Sequence, residues 1–94
     1  MRSTSRNEGV HNVGTDSSRQ QELAALGRAV RQLREQRRMS LDDLSSASRQ
    51  PRERKMSSRR IGRIEAGEVD PHYDEMIALA DALDVTPAML IVYA

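Results

Sequence analysis

The sequence of 94 residues contains no cysteine, no tryptophan and no phenylalanine. Without cysteine, disulfide bonds and thiolate metal sites are excluded. Tyr73 and Tyr93 are the only aromatic residues, so an aromatic platform for stacking nucleic-acid bases is not expected. No apolar run is long enough to span a membrane, and the N-terminus lacks the apolar region of a signal peptide. We therefore expect a cytoplasmic protein with one domain and a modest core.

Charged residues are unevenly distributed, although the net charge is only +1. Residues 28–63 carry twelve basic and four acidic side chains, whereas residues 64–94 carry seven acidic side chains and no lysine or arginine. A molecule with one basic half and one acidic half orients in the field of a polyanion. The distribution therefore favours a nucleic acid as the partner of the basic half.

The first 18 residues are polar and have no apolar period, which predicts a disordered N-terminal tail over 1–18. The folded domain is then expected over 19–94. Ser18 and Gln21 have the spacing of a capping box, which predicts the start of the first helix. Apolar periodicity, turn residues and prolines predict five short helices, over about 19–37, 40–48, 58–66, 71–83 and 87–92.

The third helix, in the stretch 56–67, is predicted to have an apolar face. Ser57 suits its N-cap, since a serine hydroxyl accepts a hydrogen bond from a free N–H of the first turn. Ile61 and Ile64 lie three residues apart and therefore share one side of the helix. Gly67 suits the left-handed position that follows a helix. This face is predicted to pack in the core.

The other side of this helix carries Ser58, Arg59, Gly62 and Arg63, with Arg60 beside them. The positive end of the helix dipole disfavours cations near the N-terminus. Arginines in that place suggest an anionic ligand, and phosphate is the obvious candidate. A basic face that is simply solvated is the alternative interpretation.

A basic connector, residues 49–55, precedes this helix. Arg49, Arg52, Arg54 and Lys55 are offset there only by Glu53. One interpretation is a flexible, solvated turn. The other is an arm that reaches phosphates or a minor groove, as basic arms do in some DNA-binding proteins.

The fourth helix is predicted to begin with Asp70 as cap and Pro71 at its first position. Its predicted core face carries Tyr73, Met76, Ile77, Ala80 and Leu83. Residues 89–92 of the fifth helix are four consecutive apolar residues, and one small core cannot cover every side of them. A second copy of the chain is the simplest partner. The predicted dimer contacts are Met89, Leu90, Ile91 and Tyr93.

No arrangement of residues indicates an enzyme or a metal protein. Asp42 and Asp43 are adjacent, so they do not share a helix face, and both suit the first turn of the second helix as capping residues. His11 and His72 have no neighbouring histidine or cysteine that could complete a metal site. We therefore predict no catalytic residues, no metal and no cofactor.

Three segments in this order resemble the Xre/lambda-repressor/Cro type of helix-turn-helix DNA-binding domain. They are LGRAVRQLREQRRMSLDDLS, MSSRRIGRIEAGEVDP and MIALADALDVTPAML, and the resemblance covers about residues 23–92. It implies an all-α, lambda-repressor-like domain of five short helices, with an extended turn between helices two and three.

The resemblance also implies roles for individual residues. An arginine in the place of Arg34 pairs with the glutamate in the place of Glu65, which would shield a carboxylate on the inner side of the third helix. The residues in the places that read base edges are Ser58, Arg59, Gly62 and Arg63. Phosphate contacts are expected from Ser57, Arg60, Arg49, Arg52, Arg54 and Lys55.

Two features depart from the family pattern. The family usually has a glutamine after the N-cap of helix two, where it contacts a phosphate and supports the recognition helix, but this chain has Leu41. The connector 49–55 also lengthens a turn that is normally near four residues. The resemblance therefore does not determine the angle at which the third helix meets DNA.

The sequence thus predicts a DNA-binding transcriptional regulator, either a repressor or an activator, that reads double-stranded DNA sequence-specifically. A homodimer would bind a pseudo-palindromic operator. The alternative is a DNA-binding antitoxin, or another protein-interaction module, of the same fold.

Overall fold

The computed structural model describes the backbone of residues 8–49 and 55–93, and the side chains of residues 18–49 and 55–90. In these residues the protein is all-α, with five helices and no strand, so the predicted fold class is confirmed. The helices are α1 (Glu8–Gln36), α2 (Leu41–Ala47), α3 (Ser58–Glu65), α4 (Tyr73–Ala82) and α5 (Pro87–Tyr93).

Helix α1 begins at Glu8, whereas the sequence predicted a disordered tail up to residue 18. Ser18 therefore lies inside the helix instead of capping it. Residues 8–18 have no apolar stripe and include several weak helix formers, so local propensity did not favour a helix. A helix that already exists gains a hydrogen bond for each residue it adds, which makes growth far easier than nucleation. Residues 1–7 of the predicted tail lie outside the described residues.

The core lies between α1 and the shorter helices. Burying each leucine or isoleucine side chain stabilises the fold by about 1.5–3 kcal/mol. The largest fully buried apolar side chains are Val30, Leu33, Leu44, Ile61, Ile64, Leu79, Leu83 and Leu90.

The predicted core face of α4 is confirmed in part, since Ala80 and Leu83 are buried and Met76 packs against the core. Tyr73 is 77% exposed and Ile77 is 39% exposed, while Ala78 and Leu79 are buried. The helix carries apolar residues on more than one side, so the spacing of its apolar residues did not determine which side faces the core.

The start of α4 also differs from the prediction. His72 is its N-cap residue, and the backbone N–H of His72 donates to Glu75 Oε1 at 2.7 Å. Asp70, the predicted cap, forms an ion pair with Arg19 of α1 instead. Pro71 is buried just before the helix. The cap therefore lies two residues further along the chain, because Glu75 supplies the carboxylate that the first turn needs.

Leu90 of α5 is fully buried in the core, contrary to its predicted place at a dimer interface. A run of four apolar residues does not show which of them points inward, and α5 packs against both α1 and α4. Met89 is partly exposed. The side chains of Ile91 and Tyr93, the other predicted interface residues, lie outside the described ones.

The two ends of the connector 49–55 lie side by side. Arg49 and Lys55 form an isolated antiparallel bridge. Next to it the Ser45 hydroxyl donates to the carbonyl of Met56, whose side chain is buried. The bridge and this hydrogen bond hold the end of α2 next to the start of α3, whatever path the residues between them follow.

Helices α1 and α3 touch through their backbones at Gly27. A Cβ atom at this position would lie 2.5 Å from the carbonyl oxygen of Ile64 and 2.7 Å from the carbonyl carbon of Glu65. Both distances are below the 3.0 Å that real Cβ contacts essentially never cross. Only glycine permits α1 to cross the C-terminal end of α3 at this distance.

Helices α1, α3 and α4 end in the same motif. Arg38, Gly67 and Asp84 have φ values of 56°, 75° and 59°, which is the left-handed region. In α3 the N–H of Gly67 donates to Ile64 and the N–H of Glu68 donates to Arg63, both at 3.0 Å. This pattern satisfies carbonyls of the last turn that a helix end otherwise leaves free.

Candidate nucleic-acid interface

Helix α3 has one buried face and one outward face, as its sequence predicted. Ser57 caps the helix, with its hydroxyl oxygen accepting from the N–H of Arg60 at 3.0 Å. Ile61 and Ile64 are buried in the core. Between the isoleucines, Arg63 is exposed and Gly62 is partly exposed.

The outward face of α3 carries two exposed arginines, Arg59 and Arg63, one helical turn apart. Arg63 Nε lies 3.5 Å from the carboxylate of Glu68, and both side chains are largely exposed. Such a surface pair contributes little to stability and leaves the arginine available to another acceptor. Ser58 is partly exposed at the start of the same face, and its hydroxyl donates to the Asp42 carboxylate of α2.

Leu41, the residue that replaces the expected glutamine, packs over the middle of α3. A Cβ atom built on Gly62 would lie 3.7 Å from Leu41 Cδ1, which is ordinary van der Waals contact. Leu41 also packs against the core. The support of α3 by α2 is therefore apolar at this point, and a leucine side chain offers no hydrogen bond to a phosphate.

The C-terminal end of α3 is tied to α1 by Arg34 and Glu65, the pair that the resemblance implied. Arg34 Nε and Nη2 donate to the two carboxylate oxygens of Glu65, and Arg34 Nη1 donates to the carbonyl of Met39 at 2.9 Å. The hydrogen bond to Glu65 raises the pKa of Arg34. Glu65 therefore has a structural partner that fully accounts for its inward position.

The N-terminal end of α3 is tied to α4 by Arg60 and Glu75. Arg60 Nε and Nη2 donate to Glu75 Oε2 and Oε1, at 3.0 Å and 2.9 Å. The side chain of Glu75 is only 8% exposed, and that of Arg60 is 29% exposed. Burial alone would raise the pKa of Glu75. The hydrogen bonds from Arg60 and from the His72 N–H together lower it by more than burial raises it, so the pKa of Glu75 lies below its ordinary value.

Comparison with protein-family models decides the family. The model described as "Helix-turn-helix domain" matches residues 25–90. The chain belongs to this helix-turn-helix family. Its members are DNA-binding domains and are typically not enzymes. Searches of curated proteins and of solved structures give no match.

The ion pair of Arg60 changes the role predicted for this residue. Arg60 was predicted to contact phosphate, but two of the nitrogens of its guanidinium bond to Glu75 within the helix-turn-helix domain itself. The carboxylate of Glu75 thus supplies part of the negative charge that was expected near the N-terminal end of α3. Arg60 is therefore a structural residue in the free protein.

Glu75 is the residue at this site that the sequence prediction missed. It lies four residues before Leu79 and eight before Leu83, so the three share one face of α4. Leu79 and Leu83 are buried. A carboxylate in register with buried leucines requires a partner, and this pattern could have indicated an internal ion pair.

Two of the remaining predicted phosphate ligands, Arg49 and Lys55, lie beside the start of α3. Arg49 and Lys55 are exposed at the bridged ends of the connector, and Lys55 precedes the cap Ser57 by two residues. Arg52 and Arg54 lie outside the described residues. The exposed cations of the described connector ends therefore extend the basic surface of α3 toward its N-terminus.

Among the described residues, no group of three or more His, Asp or Glu side chains is arranged to hold a metal ion. Within those residues, no helix is both long enough and apolar enough to cross a membrane. A groove of about 630 Å³ lies between α1 and the start of α4, and no residue of α3 lines it.

Proposed function

We propose that the protein is a sequence-specific transcriptional regulator of the Xre/lambda-repressor/Cro type, which inserts α3 into the major groove of double-stranded DNA. The outward face of α3 supports this proposal most directly. Its exposed Arg59 and Arg63 stand one turn apart on a helix whose opposite side is fixed in the core. The match of residues 25–90 to the helix-turn-helix family supports the same assignment.

The residues on the outward face of α3 read the bases. Arg59 and Arg63 each read a guanine, because a guanidinium donates bidentately to its O6 and N7 atoms. Ser58 makes a further polar contact, and Gly62 lets the helix approach the base edges closely. The phosphate contacts come from Ser57, Arg49, Lys55, Arg52 and Arg54, and these contacts set affinity and register without reading sequence.

The regulator acts as a homodimer on its operator. The two copies meet through α5, where Met89 is partly exposed and Ile91 and Tyr93 follow in the sequence. A two-fold dimer places two copies of α3 in successive major grooves. The operator is then a pseudo-palindrome with half-sites about 10 bp apart.

Selection of bound duplexes from a random DNA pool tests the specificity and the dimer together. The expected result is one enriched motif that appears twice, inverted, at a spacing of about one helical turn. A single, unpaired motif would overturn the dimer and leave the specific readout standing. Recovery of duplexes with no shared motif would overturn sequence-specific regulation itself.

A second candidate function is that of a protein-interaction module, such as an antitoxin that binds both DNA and a toxin. The exposed Tyr73, Ile77 and Met89 on α4 and α5 favour it, since large exposed apolar side chains often mark a protein-binding surface. The test is whether the product of a neighbouring reading frame co-purifies with the chain in a defined ratio. Loss of that product on Tyr73→Lys with Ile77→Lys would assign it to this surface.

A further inference from the structure

Each end of α3 is held by a two-bond ion pair to a different helix. Arg34 of α1 holds Glu65 at the C-terminal end, and Glu75 of α4 holds Arg60 at the N-terminal end. The resemblance implied the first pair but not the second. The role of the second pair in DNA recognition is therefore a separate question.

We propose that Glu75 is a positioning residue for DNA recognition, which acts through Arg60 to fix the first turn of α3. This proposal rests on the proposed function, since it concerns how α3 meets DNA. Ser58 and Arg59 belong to the same first turn as Arg60. The position of this turn against α4 thus sets where these two side chains meet the base edges.

The geometry of the pair restrains the turn in more than one direction. A guanidinium that donates through two nitrogens to both oxygens of one carboxylate is held in the plane of that carboxylate. A single hydrogen bond would leave it free to rotate. Glu75 is itself fixed, because its side chain is buried and Oε1 also accepts the N–H of His72. Movement of the first turn of α3 would break bonds to a buried carboxylate.

Electrostatics alone leads to the opposite expectation. Removing a negative charge near a DNA-binding face should strengthen binding to any DNA, because it reduces repulsion of the phosphates. It would also free Arg60, which could then neutralise one more phosphate. A positioning role predicts instead that binding to the preferred sequence weakens while binding to other sequences does not.

The experiment compares Glu75→Gln with the wild-type chain on two duplexes of equal length. One duplex is the best sequence from the random-pool selection, and the other is a scrambled sequence of the same composition. We expect affinity for the selected duplex to fall and affinity for the scrambled duplex to hold or rise. The ratio of the two affinities should fall about tenfold, which is the effect of losing about one base contact.

The salt dependence of DNA affinity provides a second measurement. Substituting a purely structural residue would not change it. On the scrambled duplex, the slope of log affinity against log salt should steepen by about one phosphate equivalent, because Arg60 is released. Asp74→Asn is the matched control. It removes an exposed negative charge from the same turn of α4, and it should leave the wild-type affinity ratio unchanged.

Arg60→Lys keeps the positive charge but cannot form the two-bond pair. It replaces Glu75→Gln in the experiment if that variant folds poorly. It should lower the affinity ratio in the same way, and Arg60→Glu combined with Glu75→Arg should restore part of it. An unchanged ratio in Arg60→Lys, or equal losses on both duplexes, would overturn the positioning role. Failure of the wild-type chain to select any motif would instead overturn the proposed function, and this inference with it.

Discussion

Arg34 on α1 and Glu65 at the C-terminal end of α3 are joined by two parallel hydrogen bonds, of 2.7 Å from Nε and 3.0 Å from Nη2. Their side chains are only 13% and 8% exposed. The third donor of Arg34 bonds to Met39, in the turn between α1 and α2. One guanidinium therefore joins α1, the turn after it and α3.

Arg34→Ala should lower the free energy of unfolding by about 3 kcal/mol, because it leaves the carboxylate of Glu65 buried without a partner. Denaturant unfolding measures the change. The matched control is Arg31→Ala, since Arg31 pairs with Glu35 at 3.2 Å on the exposed surface of the same helix. That variant should change stability by less than about 1 kcal/mol. Similar losses in both variants would contradict a special role for Arg34.

Gly27→Ala should destabilise the protein by about 1–3 kcal/mol or more, since the added Cβ collides with backbone atoms of α3 that cannot move aside alone. Gly62→Ala is the matched comparison in α3. Only Leu41 Cδ1 lies near its Cβ position, at 3.7 Å, so alanine should stabilise the helix by about 0.5–1 kcal/mol. Thermal unfolding without DNA should show the two effects with opposite sign.

Arg38→Gly should stabilise the protein by about 1 kcal/mol. Arg38 has a φ of 56°, and an L-residue with a side chain pays about 1–2 kcal/mol for this left-handed conformation. Part of the gain is offset by the greater freedom of glycine in the unfolded chain. Arg38→Val should destabilise the fold, because β-branched residues tolerate the left-handed region poorly. Thermal unfolding that ranked valine above glycine would contradict this.

Acid should destabilise the protein in part through Glu75. Its pKa in the fold is held below the ordinary value of 4.5. Above pH 4.5 the ionised carboxylate therefore contributes its full stabilisation, which is lost as the pH falls through the lower pKa of the folded state. Glu75→Gln should flatten the dependence of the unfolding free energy on pH below the ordinary value of 4.5, and denaturant unfolding at several pH values measures this.

Arg63→Ala should weaken binding to the selected duplex by about 1–3 kcal/mol and relax the preference at one base position. Lys55→Ala should instead weaken binding to all duplexes alike and reduce the salt slope by about one phosphate equivalent. Fluorescence anisotropy over a salt series measures both quantities. If Arg63→Ala lost the same affinity on every sequence, Arg63 would be a phosphate ligand and not a reader of bases.

The sequence predicted the fold best where apolar residues repeat on a single helix face. Ile61 and Ile64 allow only one inward side for α3, and the structure buries both. In α4, by contrast, Tyr73 and Ile77 are as apolar as the residues that fill the core, so periodicity alone did not separate the two faces. Leu90 was misplaced for the same reason, because its neighbours in the sequence are apolar too.

The candidate site depends on contacts that are distant in sequence, and these were harder to predict. Arg34 and Glu65 were paired through a family resemblance. Arg60 and Glu75 are fifteen residues apart and on different helices, and their pairing depends on which face of α4 is buried. The prediction placed the exposed Tyr73 and Ile77 on the buried side of α4 and did not recognise Glu75 as an inward carboxylate. Arg60 was therefore assigned to phosphate.

The bridge between Arg49 and Lys55 gives the connector a property of its own. Because residues 49 and 55 lie side by side, we expect that the number of residues between them can change without moving α2 relative to α3. Extra residues there would cost only loop-closure entropy, which grows slowly with length. Evolution, or an engineer inserting a foreign peptide, can therefore alter the length and charge of this connector independently of α3.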